Sequence, residues 1–170
     1  MIKTKLNIDI AEDGWLEKLP EVEKLSEDIF AEVISELKPE WLEGKKEVNI
    51  NLSLSDDEEI RQLNFEFRQL DKPTNVLSFA NIDDEEFDAY LKRNEDIELG
   101  DIIIALQTMV EQSVEQEISL HDHYCHILIH GFLHLLGYDH IEEEEAKEME
   151  CEEINLLKKM NIENPYDESK

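Results

Sequence analysis

Residues 2–10 alternate, with Ile2, Thr4, Leu6, Ile8 and Ile10 on one side, and residues 48–54 repeat the pattern with Val48, Ile50, Leu52 and Leu54 against Asn49, Asn51 and Ser53. A period of two marks half-buried strands. Between them Val22, Leu25, Ile29 and Val33 recur at helical spacing, with Pro20 tolerated in the first turn and Pro39 beyond the end. Strand, helix, strand in this order predicts a β-α-β unit with parallel strands.

A second helix is predicted over about 56–67 from Ile60, Leu63 and Phe67, with Ser55 and Glu58 as its capping box. The turn-forming Asp71-Lys72-Pro73 then leads into a short strand over 75–79, whose partner is expected at 100–105. Residues 81–99 read as a long acidic connection with a helical turn at 87–91, a length that marks a functional loop. Three helices follow, over about 107–117, 120–136 with Ser119 as N-cap, and 142–160. Residues 161–170 read as a frayed tail.

A chain of 170 residues with 41% hydrophobic content supports one core and one domain, 1–170. No basic and apolar leader opens it and no apolar stretch is long enough to span a bilayer, so it reads as soluble and cytosolic, with no membrane partner and no signal for an oligomeric state. Cys125 and Cys151 form no metal or redox motif and suit a reducing compartment. The net charge of −28 matters more, because it repels phosphate backbones at long range. Much of the acid is structural: Glu142 to Glu145 open a helix that closes on Lys158 and Lys159, matching the macrodipole at both ends.

Candidate chemistry concentrates in His130-Gly-Phe-Leu-His134-Leu-Leu-Gly-Tyr-Asp-His140. Four residues apart on a helix, His130 and His134 stack about 6 Å apart along the axis, within reach of one ion. Gly137 can end that helix in the left-handed conformation, letting Tyr138 and Asp139 turn the chain so that His140 returns as a third ligand. The run from Ile127 to Leu136 is apolar apart from its histidines and Gly131, so the helix should be buried on most sides. Three imidazoles with an open fourth position describe a metal site that lowers the pKa of bound water to near 7; zinc is expected from availability and geometry, and nickel, copper or iron also suit the donors. Structural zinc or three separate core histidines are the rival readings, and Cys125 is badly angled for a fourth ligand. His123 and His126 are placed to orient ligands, whereas His121 faces solvent. The spacing also matches the metzincin peptidases, except that Gly131 stands where those enzymes carry their glutamate base.

Together with Phe67-Arg-Gln-Leu-Asp-Lys-Pro-Thr-Asn-Val-Leu-Ser-Phe79 and Leu99-Gly-Asp-Ile-Ile-Ile104, the histidine motif resembles the YbeY family of bacterial rRNA maturation factors over about residues 48–155. The resemblance implies a metal-dependent, single-strand-selective endoribonuclease acting at the 16S rRNA 3′ end and in ribosome quality control. By motif position it implies His130, His134 and His140 as zinc ligands and Arg68 as the required arginine. Gln69 and Ala80 depart from the commonest family pattern, where glycine and proline stand. The fold expected from elements and resemblance together is α/β (α+β), a small mixed, mostly parallel four-stranded sheet packed by five to six helices, with the metal site at the end of a buried helix.

Arg68 also stands out on its own residues. Only Arg61, Arg68 and Arg93 are arginines, and the one ending a helix before a turn can present a planar fork to phosphate oxygens; an ordinary salt bridge is the competing account. Lys72 can add a second cation. Asp101 and Asp139 are candidates to orient an imidazole or accept a proton, and Thr74, Asn75 and Ser78 to line the cleft. The expected partners are single-stranded RNA and the ribosome, with the acidic surface complementary to basic ribosomal proteins. Two other functions share these residues: a metal hydrolase of the peptidase kind, and a non-catalytic, zinc-stabilised ribosome-assembly module.

Overall fold

The computed structural model describes residues 2–139 and 141–167. In chain order the described residues form β1 (Lys3–Ile10), α1 (Gly14–Lys18), α2 (Val22–Leu37), β2 (Glu47–Ser55), α3 (Asp57–Arg68), β3 (Val76–Ala80), α4 (Phe87–Arg93), β4 (Asp96–Ala105), α5 (Leu106–Glu115), α6 (Leu120–Leu135) and α7 (Glu143–Lys159). The sheet order is β1-β2-β4-β3. β1, β2 and β4 run parallel, and β3 pairs antiparallel on the edge of β4. The parallel β1-α2-β2 unit is as the periodicity predicts and the mostly parallel four-stranded sheet as the elements and the resemblance together imply, with more helices than expected.

One face of the sheet carries the main core. Leu6 and Ile8 of β1, Ile50, Leu52 and Leu54 of β2, and Ile102 and Ile104 of β4 face α2 and α6, and Phe30 meets Phe132 between those helices at a ring separation of 5.0 Å. The buried indole of Trp15 caps this layer, donating to the Ser55 carbonyl at 2.9 Å and packing edge-on against Tyr124. On the other face, α3 covers only the β3 end, where Ile60, Leu63, Leu77, Phe79 and Ile103 cluster. The rest of that face is open and polar, crossed by hydrogen bonds from Asn7 to Asn51 and from Asn51 to Asp101, each 3.1 Å.

Gly100 sets the approach of β3 to β4. Its φ is +138°, and a Cβ there would lie 2.0 Å from the Phe79 carbonyl oxygen and 3.2 Å from a Leu135 methyl on α6. Only a residue without a side chain lets strand, strand and helix come this close.

Several boundaries differ from the sequence expectation. The region expected as a long loop is shortened from both sides, by a 3-10 turn at Asn81–Asp83, by α4, and by β4 starting at Asp96. Pro20 lies between α1 and α2 rather than inside one helix. The cap of α3 is Asp56, which accepts from the Glu59 amide at 2.9 Å, while the hydroxyl of Ser55 donates to the Glu59 side chain. Asp56 supplies an anionic acceptor at the helix start, and Ser55 is buried as the last residue of β2. The tail is not frayed over its described part: Ile162 is buried and Tyr166 is held by hydrogen bonds. Residues 168–170 lie outside the described residues.

His123 ties the start of α6 to the segment before β3. Its Nε2 donates to the Gln112 side-chain oxygen at 2.8 Å, and the same oxygen receives the Asn75 amide at 3.0 Å. Burial, with His126 nearby, pushes its pKa down to about 4. The neutral ring is the folded form, so stability is complete above about pH 6.5, where unfolded histidine is also neutral, and is lost as pH falls from there towards 4. About 3 kcal/mol of acid sensitivity follows from this one side chain. His123→Leu should remove that part of the pH slope in urea unfolding between pH 6.5 and 4. An unchanged slope would mean the ring is not held neutral.

Candidate metal centre

The helix that carries the histidines is buried along much of its surface because its apolar side chains pack inward: Tyr124, Cys125, Ile127, Leu128, Ile129, Phe132, Leu133 and Leu135 are enclosed, and His123 with them. Ser119 caps it as predicted, accepting from the Asp122 amide at 3.1 Å. Its other end closes through Gly137 at φ +101°: the Gly137 amide bonds the His134 carbonyl at 3.1 Å and the Tyr138 amide bonds the Leu133 carbonyl at 3.0 Å. That left-handed stop is the turn the sequence predicted.

His130 and His134 come together at this end. Their Nε2 atoms face each other at 3.0 Å, with the ring planes at 88°. The other ring nitrogens have acceptors: His130 Nδ1 donates to Glu153 Oε1, and His134 Nδ1 donates to the Tyr138 carbonyl at 3.1 Å. A carboxylate and a carbonyl can only accept, so both protons belong on Nδ1. Two lone pairs then point at one another. Such a pair is stable around a cation, and two nitrogens about 2.0–2.1 Å from a tetrahedral zinc stand about 3.3 Å apart, a few tenths beyond the spacing here. The residues fit a divalent ion held by two neutral imidazoles.

The third expected ligand, His140, lies outside the described residues, and among the described residues no group of three His, Cys, Asp or Glu side chains converges on one point. Cys125 and Cys151 are free thiols, one buried and one exposed. His121 is solvent-facing, bonded to Asp122 at 2.9 Å.

Glu153 was invisible to the motif and is central to the site. It sits in the apolar stripe of α7 between Met149 and Leu156, with its side chain fully buried. Burial works to raise its pKa, but hydrogen bonds from His126, His130 and Tyr166 outweigh that and hold it down to about 2. His126 reaches it at 3.4 Å, so His126 meets the carboxylate that accepts from His130, whereas His123 bonds Gln112 instead. A carboxylate in a core position of an amphipathic helix must be paired, and that misplaced acid was the available signal.

Gly131 is glycine because its position faces the sheet. A Cβ there would stand 3.1 Å from Ile102 and 3.5 Å from the Ser78 hydroxyl. A glutamate in the peptidase position would therefore be directed into β3 and β4. Ser78 faces α6 at Gly131. Asp101 does not: it accepts from Asn51 on the open face of the sheet, because alternate residues of β4 point to opposite sides. Asp139 lines a groove of about 380 Å³ with Trp41, Tyr138 and Glu148.

Arg68 is the last residue of α3, followed by Gln69 in the left-handed conformation at φ 60°. The next turn is fixed by buried Asn64, whose amide donates to the Lys72 carbonyl at 2.9 Å, and leads into β3 beside α6. Arg61 is engaged by Glu58 and Asp71, and Arg93 bonds the Ala89 carbonyl at 3.3 Å. Among the described residues no hydrogen bond or ion pair of Arg68 is found, unlike Arg61 and Arg93. Three of the eight exposed large hydrophobic residues among those described, Phe65, Phe67 and Leu70, flank it.

Comparisons with known proteins place the chain among its relatives. An Endoribonuclease YbeY of Paramagnetospirillum magneticum is 38% identical over 168 residues, 98% of each chain. One from Rhodospirillum rubrum is 40% identical over 164 residues, 95% of this chain and 81% of that one. Another from Acinetobacter baumannii is 44% identical over 125 residues, 73% of this chain and 77% of its own. The solution structure of TM1509 from Thermotoga maritima shares the fold at a TM-score of 0.55 and 24% identity, covering 96% of this chain and 97% of that one. Residues 14–161 match the family described as Endoribonuclease YbeY. The chain belongs to the YbeY endoribonuclease family.

Proposed function

We propose that this protein is a single-strand-selective, zinc-dependent endoribonuclease of the cytoplasm, acting in maturation of the 16S rRNA 3′ end and in ribosome quality control. The observation that carries the metal part is the pair of His130 and His134 Nε2 atoms turned towards each other at 3.0 Å, with both Nδ1 protons committed elsewhere. His130, His134 and His140 would hold the ion. When bound, it would supply Lewis acidity at a phosphoryl oxygen and lower the pKa of water towards 7.

The protein side chains supply the rest. Arg68 holds a non-bridging phosphate oxygen and stabilises the charge that grows there in the transition state. Phe65 and Phe67, both more than half exposed, offer ring faces on which unpaired bases stack, which favours single strands. The net charge of −28 makes non-specific binding to naked RNA weak and favours delivery by a basic ribosomal protein docked on the acidic surface.

The test is cleavage of single-stranded RNA by wild type and Arg68→Ala, each purified identically, with and without chelator. Arg68→Ala should lose about 100-fold or more in kcat/KM while keeping its metal and its unfolding midpoint. Cleavage that survives the substitution unchanged would assign the wild-type signal to a contaminant or leave the protein a non-catalytic assembly module.

A further inference from the structure

We propose that the C-terminal segment is a working part of the metal centre, with Tyr166 as a positioning residue that locks the carboxylate holding His130; this rests on the metal reading above. The segment is built to reach the site. Helix α7 ends with Asn161 in the left-handed conformation at φ 61°, the Ile162 amide bonded to the Leu157 carbonyl at 2.9 Å and the Asn161 amide to the Lys158 carbonyl at 3.0 Å. Ile162 is thereby buried, and the chain turns back along α6. The Asn164 side chain then accepts from the Tyr166 amide at 2.8 Å, across Pro165.

This turn delivers the phenol oxygen to Glu153 and, at 3.2 Å, to His126 Nε2. Tyr166 donates its hydroxyl to Glu153 Oε2, and its ring stands edge-on to His126 at 5.5 Å and 87°. The other carboxylate oxygen, Oε1, accepts from His130 Nδ1. With Oε2 anchored, the carboxylate plane is fixed, so Oε1 can face only His130; the imidazole is held in the tautomer whose Nε2 lone pair is directed at His134 Nε2. Without the phenol, Oε2 retains only the 3.4 Å contact to His126, and the carboxylate can turn away from its ring. A residue on the surface, 39% exposed, thus fixes a ligand through a carboxylate with no exposure at all.

The experiment compares full-length, untagged wild type, Tyr166→Phe and Glu153→Gln for Zn(II) affinity, by competition with a chromophoric chelator, and for the unfolding midpoint of the metal-free forms. Tyr166→Phe keeps the ring edge-on to His126 and deletes the hydroxyl, with its bond to Glu153 and its 3.2 Å contact to His126 Nε2. It should bind Zn(II) about 10-fold more weakly, and Glu153→Gln about 10- to 100-fold more weakly, with the metal-free midpoint of Tyr166→Phe unchanged. Tyr166→Phe binding within about twofold of wild type would overturn the proposal, leaving Tyr166 as packing. So would an affinity loss matched by a fall in the metal-free midpoint, since the hydroxyl would then serve folding. If wild type itself binds no Zn(II), the metal reading fails first, and the two failures are distinct.

Discussion

His134→Ala is expected to abolish RNA cleavage, with a loss of at least about three orders of magnitude, while the fold persists. The reasoning starts from the ring's two nitrogens. Nε2 is one half of the facing pair with His130, so its removal leaves an ion with fewer donors than a stable site requires. Nδ1 bonds the Tyr138 carbonyl, at the end of α6 where the chain is already fixed by Gly137. That hydrogen bond contributes about 1 kcal/mol, too little to unfold a domain of this size. Loss of activity with a retained circular dichroism spectrum and a shift of a few degrees in midpoint is therefore the signature. Cleavage within about tenfold of wild type would mean that the imidazole pair is not the catalytic centre.

Gly100→Ala is expected to have the largest effect on stability. Its Cβ would lie 2.0 Å from the backbone oxygen of Phe79, an atom fixed by the β3–β4 pairing, and neither strand can shift without moving Leu135 of α6. The strained φ of +138° adds to the clash. Together these should cost about 4 kcal/mol, lowering the thermal midpoint by about 10 °C. Gly44→Ala is the control: at φ +83° it meets nothing within 4 Å, so it should cost only about 1 kcal/mol. Equal effects at the two positions would show that the close approach of β3 to β4 does not matter. Because β3 places Ser78 against Gly131, Gly100→Ala should also disturb the helix that holds the histidines.

What the sequence made legible follows from which signals are local. Strict alternation in β1 and β2 and the helical repeat of α2 are period signals, and they located the parallel unit to within a few residues. Ser119 and Gly137 are local chemistry as well, and both ends of α6 lie where those residues predicted. The tail failed for the opposite reason. A short polar segment with one isoleucine and one tyrosine has no period, and its order comes from a contact between Tyr166 and Glu153 thirteen residues earlier in sequence. The extent of β4 was likewise hidden, since Asp96 and Glu98 face the solvent side of the sheet and read as loop.

The site divides in the same way. Spacing placed His130 and His134 on one helical face, and Arg68 at a helix end, because both are arguments about one element. Asp101 was misjudged since only the register of β4 reveals which face of the sheet it occupies. Glu153 could have been found as an acid in the Met149, Leu156 stripe, a local anomaly that points to a hidden partner.

The most direct measurement is elemental analysis of the untagged, full-length protein and its His130→Ala variant after gel filtration. The account predicts about one divalent transition-metal ion per wild-type chain, and none retained by the variant. A wild-type protein that cleaves single-stranded RNA with no bound ion, undiminished by chelator, would contradict it.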